Sequence, residues 1–208
     1  MIDRKAHWQS IYREKSPLEV SWYQGEPRLS LELVRHCGLR HDEAIIDVGG
    51  GASVLVDFLF REGYTDLSVL DISAVALDSA RDRMGEAAKH VKWIEADITD
   101  FEPLRRYALW HDRAVFHFLT EASDRDKYIA CLKAGLRPGG HLVLASFAIG
   151  GPERCSGLPI VQYDASKLKA ELGDEFVLVE ERAEVHVTPA EKSQKFVYFR
   201  FVRTDRRV

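Results

Sequence analysis

Between Glu43 and Phe147 the chain alternates short, nearly continuous apolar runs with longer amphipathic stretches. A run with no polar alternation suits a strand covered on both faces, the condition of a parallel sheet. The runs are AIIDV at 44–48, DLSVLD at 66–71, VKWIEA at 91–96, YALWH at 107–111 and HLVLASF at 141–147. Helices are expected over 53–62, 74–87 and 124–136, the last stopped by Arg137-Pro138-Gly139-Gly140, because proline and glycine cannot extend a helix. Such a βαβ series implies an α/β fold with a doubly wound parallel sheet.

The tail breaks the series. After a helix expected at 164–172, FVLVEERAEVHV (176–187) and QKFVYFRFV (194–202) are separated only by Thr188 to Ser193. Six residues cannot hold a crossover helix, so these strands should pair as an antiparallel hairpin and complete a seven-stranded, mostly parallel, Rossmann-like sheet. The usual dinucleotide-binding fold, by contrast, reaches each strand through a crossover. A length of 208 residues with 46% hydrophobic content suits one α/β domain over 1–208 and is short for two. Within it, 1–40 reads as a helical entry segment and 41–208 as the binding core.

Charge and cysteine usage exclude several functions. The net charge of -4 and the scattered Lys and Arg residues give no electrostatic case for nucleic acid. The first residues are charged and aromatic, and no run approaches the roughly 18 apolar residues of a spanning helix, so a soluble, cytoplasmic protein with no membrane partner is expected. Cys37, Cys131 and Cys155 lack CxxC spacing and are read as free thiols, and the histidines show no metal-ligand spacing.

The segment IIDVGGGAS at 45–53 puts Asp47, Gly49, Gly50 and Gly51 where a strand enters a helix. Only glycine lets a backbone turn there and approach a ligand without a Cβ clash, although a tight turn with no ligand reads the same. Twenty residues after Gly51 the next strand ends in Asp71, followed by Ile72, and a carboxylate there can accept from two ribose hydroxyls. The dinucleotide fingerprint GxGxxG fails at its third glycine, which is Val54. Asp97, at the end of the third run, is placed to accept from an adenine amino group while Ile98 packs on the ring, or else to cap a helix. Three acidic strand ends suit a ligand with a hydroxylated sugar and a cationic sulfonium but no phosphate, which favours S-adenosylmethionine (SAM), with S-adenosylhomocysteine as product.

These motifs resemble the class I methyltransferases over roughly 43–202. Trp8-x-x-x-Tyr12 and Ser21-Trp22-Tyr23 are similar to the entry segment of the group that includes the elongation-factor lysine methyltransferases. The resemblance implies that Trp8, Tyr12 and Trp22 close over SAM, and aromatic faces attract a sulfonium by about 0.5–2 kcal/mol. Trp8 and Tyr12, at i and i+4, would equally dock a helix on the core. Two positions depart from the family pattern: Ser53 stands in the usual third glycine-loop place, and Ala108 replaces the common Asp near the start of the fourth strand.

Methyl transfer from a sulfonium is an in-line displacement, and holding the two reactants in line contributes about 7–11 kcal/mol, so a catalytic base is not required. The expected methyl position lies beside WHDRAVFHFL at 110–119. There Arg113 or Asp112 would contact the methionine end of SAM, or form an ion pair with each other, His117 would take a proton or pack in the core, and His117 and Asp112 are the candidate catalytic residues. The glycine- and proline-rich stretch 149–164 should cover the acceptor, with Cys155 in its wall. The acceptor reads as a protein lysine or a small molecule such as a thiol or carboxylate. The competing readings are a SAM-binding protein without turnover and a nicotinamide-dependent oxidoreductase. The entry segment at 1–25 is expected to order when SAM binds.

Overall fold

The computed structural model describes residues 3–14, 16 and 18–205. The chain opens with α1 (Arg4–Glu14) and α2 (Arg28–Arg35). There follow β1 (Ile45–Val48), α3 (Leu55–Arg61), β2 (Leu67–Asp71), α4 (Ala74–Met84), β3 (Val91–Glu95), β4 (Tyr107–Arg113), α5 (Ala122–Gly135) and β5 (Leu136–Phe147). A two-residue-stranded hairpin, β6 (Arg154–Cys155) with β7 (Leu158–Pro159), precedes α6 (Ala165–Leu172), β8 (Phe176–Val187) and β9 (Ser193–Arg203).

The main sheet has seven strands in the order β3-β2-β1-β4-β5-β9-β8, parallel from β3 to β5. The last hairpin enters antiparallel, with β9 paired to both β5 and β8 and β8 at the edge. Strands β1 and β2 are buried at every position, as continuous apolar runs between two helical layers require, whereas the edge strand β3 is buried only at Val91. One apolar cluster on one face gathers Trp110, Tyr128, Phe116 and Phe199, and another on the opposite face gathers Leu33, Leu55, Val69 and Tyr198.

Local chemistry sets the helix ends. Ser73 accepts from the Ala76 N–H at 3.3 Å to start α4, and Asp164 accepts from the Lys167 N–H at 2.8 Å to start α6. Gly173, at φ +81°, ends α6 in a conformation that a Cβ would strain.

Two differences from the expected pattern matter. Helix α5 stops at Gly135 and β5 begins at once, with Pro138 to Gly140 bulging between the Tyr107–Leu136 and Leu109–His141 pairs. Strand β4 runs to Arg113 rather than 111, which brings His111, Asp112 and Arg113 under strand alternation. The order of strands reverses between β1 and β4, so the carboxyl ends of β1, β2 and β4 open into one crevice, the usual ligand position of an open α/β sheet.

Candidate functional site

The glycine loop leaves β1 at Val48 and enters α3. Gly49 takes φ +69°, which favours glycine, and its N–H donates to the Leu70 carbonyl at 2.7 Å. A Cβ at Gly50 would collide with the Asp47 carboxylate, and one at Gly51 with the Asp71 carboxylate and Ala76. The glycines thus let two carboxylates fold against the loop. Its far side is pinned by Arg83 of α4, which donates to the Ser53 carbonyl at 2.6 Å and pairs with Asp57 at 2.8 Å.

Each carboxylate is held differently. Asp47 Oδ1 lies 2.6 Å from His111 Nδ1, and His111 Nε2 lies 2.9 Å from the Ser30 hydroxyl of α2. All three are buried. Asp47 Oδ2, also buried, has no partner among the described residues. Asp71 accepts from the Gly51 N–H at 3.0 Å and the Ser73 N–H at 2.8 Å, and burial, with Asp47 nearby, pushes its carboxyl up to about 6.

Two adjoining cavities meet at this loop. The larger is lined by Trp8, Tyr12, Trp22, Asp71, Ile72, Asp97, Ile98, Arg113, Phe118, Cys155 and Phe196 among others. The smaller is lined by Ser30, Asp47, Gly49, Gly50 and His111, and shares Tyr12, Trp22 and Arg113 with the first. Gly51 lies behind Asp71 and lines neither.

Helix α1 forms the roof. Arg4, Trp8 and Tyr12 recur every fourth residue and so share a face. Arg4 reaches Asp97 at 3.3 Å, Thr99 Oγ1 at 3.1 Å and Asp124 at 3.1 Å. The Trp8 ring meets Trp22 at 5.7 Å and Phe118 at 5.0 Å, both edge to face, and Tyr12 meets Trp22 at 6.1 Å. Burial, with the Asp71 charge added, pushes the Tyr12 hydroxyl far above its ordinary value. Docking the helix is what brings the Trp8 and Tyr12 rings to the cavity.

Several expected residues land elsewhere. Asp97 does line the cavity, but its Oδ1 accepts from the Thr99 N–H at 2.9 Å and hydroxyl at 2.8 Å, capping a turn and not a helix. Asp112, expected at the methionine end of SAM or in catalysis, lines neither cavity. Strand alternation turns it away from His111 and Arg113 and toward α5, fully buried, where it accepts from the Tyr128 hydroxyl at 2.6 Å and the Val115 N–H at 2.8 Å. Burial pushes its carboxyl up to about 6. Among the described ion pairs Asp112 does not bond Arg113. His117 is likewise misplaced as a base: it is fully buried against Phe118 and Phe147, lines neither cavity, and burial lowers it to about 3.

Arg113 instead stands at the partition between the cavities. Its Nε donates to the Tyr198 hydroxyl at 2.8 Å, its Nη1 to the Trp22 carbonyl at 2.9 Å, and its carbon Cζ lies 4.6 Å from the Phe196 ring centre. Its Nη2 is buried with no partner among the described residues. The sequence reading missed Arg4, Ser30, Phe118 and Phe196. For Arg4 a signal existed, the four-residue spacing to Trp8. Phe196 had none, because only the hairpin's return beside β5 brings it to the crevice. On the far surface Glu32, His36 and Glu180 approach one another, with Arg182 and Arg200 already paired to the carboxylates.

A mostly parallel sheet with a reversed terminal strand, a glycine loop at its switch point and acidic ends on β1 and β2 define a class I methyltransferase fold. The comparisons agree. A methyltransferase domain family matches residues 45–140. The chain is 24% identical over 149 residues to the eEF1A lysine and N-terminal methyltransferase of Bos taurus, covering 68% of this chain and 21% of that protein. It is 31% identical over 80 residues to Nodulation protein S of Rhizobium tropici, covering 38% and 33%. The chain therefore spans a third or less of the length of these two relatives. The structure of Burkholderia thailandensis 1,6-didemethyltoxoflavin-N1-methyltransferase, with bound 1,6-didemethyltoxoflavin and S-adenosylhomocysteine, superposes with a TM-score of 0.72 at 17% identity, covering 97% of this chain and 87% of that one. The chain thus has the fold of the class I, SAM-dependent methyltransferases and resembles them in sequence over residues 45–140.

Proposed function

We propose that this chain transfers a methyl group from SAM to a nucleophile held against Phe118, Cys155 and Phe196. The observation that carries the reading is the pair of buried, unpartnered charged atoms at the smaller cavity, Asp47 Oδ2 and Arg113 Nη2. An anionic acceptor atom and a cationic donor beside one crevice match the ammonium and carboxylate of the methionyl end, and leaving them unpaired would each cost about 1–3 kcal/mol. Asp71 and Ile72 then take the ribose, and Asp97 and Ile98 the adenine. Trp8, Tyr12 and Trp22 face the sulfonium, while Gly49, Gly50 and Gly51 keep the loop close enough for these contacts. When bound, SAM supplies a methyl carbon already activated for displacement.

The chain's own work is positional. Ser30 and His111 fix Asp47 in the wall of the smaller cavity, and Arg4 ties the aromatic roof to the floor. With no base at the acceptor end among the described residues, orientation supplies the acceleration. The eEF1A relatives keep a protein lysine in view as a competing acceptor.

Titration calorimetry tests the reading. SAM and S-adenosylhomocysteine should bind, NAD should not, and Asp71→Ala should weaken both by at least about tenfold. Binding of NAD alone, or equal SAM affinity in Asp71→Ala, would overturn it.

A further inference from the structure

We infer, resting on the methyl-donor reading above, that the acceptor is a small molecule with an apolar body and an anionic nucleophile, a thiolate, phenolate or carboxylate, and that Arg113 selects it. Away from Asp71 and Asp97, the larger cavity is walled by Ala114, Phe118, Cys155 and Phe196 under Trp8. The Cys155 thiol is pushed up by burial and stays neutral at pH 7. The charge at this end is therefore the Arg113 guanidinium.

That guanidinium is fixed. The Tyr198 hydroxyl that accepts from its Nε lies 3.0 Å from Glu184 Oε2, so β8 and β9 hold it from behind. A guanidinium carries five N–H groups, and the Tyr198 and Trp22 bonds use two. The remaining donors on Nη1 and Nη2 are enough for a carboxylate on the smaller-cavity side and an anion on the larger-cavity side. Hydrogen bonds from a charged donor to an anion are among the strong ones.

The missing base points the same way. Among the described residues neither a carboxylate nor an imidazole lines the acceptor end, since Asp112 faces α5 and His117 lies behind Phe118. An alkylammonium such as a lysine would bring a second positive charge beside Arg113 and the sulfonium, and its surplus protons would have no receiver. An anionic acceptor avoids both. Its lone pair forms the bond to the methyl carbon as the carbon–sulfur bond breaks onto sulfur. The anion and the sulfonium are both neutralised, and no proton is left to place.

The test uses two ring-matched probes of opposite charge, benzoate and benzylammonium, titrated into the protein saturated with SAM. Benzoate should bind at least about tenfold more tightly. The Arg113→Gln variant should bring the two within about threefold at saturating SAM, and Phe196→Ala should weaken both. Equal or tighter binding of benzylammonium overturns the inference, as does failure of both probes to bind while SAM does. Failure of SAM itself to bind overturns the donor reading instead. Should Arg113→Gln not fold, the ratio in the unaltered protein decides alone.

Discussion

At the scale of single residues, burial decides which charged groups are available for chemistry. Asp71 is buried, with Asp47 nearby, so its carboxyl is pushed up to about 6. A ribose needs it as an acceptor, and SAM affinity should therefore fall by about tenfold per pH unit below 6. Calorimetry at pH 5 and pH 8 reads this, and Asp71→Asn should bind weakly with no such dependence. Asp112 serves α5 and the turn after β4, so Asp112→Ala should cost at least about 2 kcal/mol in urea unfolding by stranding the Tyr128 hydroxyl and the Val115 N–H. His117, whose two ring nitrogens have no partner among the described residues, gains nothing from its polarity. His117→Leu should stay within about 1 kcal/mol of the parent and leave SAM affinity unchanged, because the lost transfer of a ring is offset by removing unsatisfied groups.

At the scale of elements, α1 is the least embedded part of the site. None of its residues is fully buried, and its attachment rests on Arg4, on the Lys5–Glu95 pair at 2.6 Å and on the Trp8 and Tyr12 rings. Exposed ion pairs contribute only about 0–1 kcal/mol, so the aromatic contacts carry most of the docking. A ligand beneath those rings should hold the helix down. Limited proteolysis before Gly25 should slow when SAM is added, and Arg4→Ala should speed it without SAM. Equal cleavage with and without SAM would separate the helix from the ligand.

At the scale of the whole molecule, the pH dependence of stability follows from two opposed sets of carboxyls. Asp71 and Asp112 are raised to about 6, so the stability they contribute is present at low pH and lost as pH rises through 6. Asp66, Glu175 and Glu180 are lowered, with arginine partners at each, and their contribution is lost as pH falls below the ordinary carboxylate range of about 4. The ligand-free protein should be most stable near pH 4–5, above the range where the lowered carboxyls protonate and before the raised ones ionise, and thermal melts across pH 3.5–8 check it. A maximum above pH 7 would mean that the buried carboxyls do not control the curve. The sheet's switch point between β1 and β4 also explains why one crevice can serve both reactants, since the parallel strands deliver their carboxyl ends there.

Periodicity and length determined the fold from sequence alone: continuous apolar runs need two covering layers, and a six-residue link cannot cross a sheet. The glycine loop and the acidic ends at Asp47 and Asp71 were legible for the same reason, because strand–turn–helix punctuation fixes where a strand stops. Tertiary structure decided what the residues after β4 do. Two more residues of strand flip Asp112 away from Arg113, and no local pattern encodes where a strand's last hydrogen bond falls. It also decided that Phe196, Tyr198 and Glu184, some 80 positions downstream of Arg113, stand behind its guanidinium. That contact comes from the antiparallel return of β9 beside β5, a pairing between segments too far apart in sequence for either to specify alone.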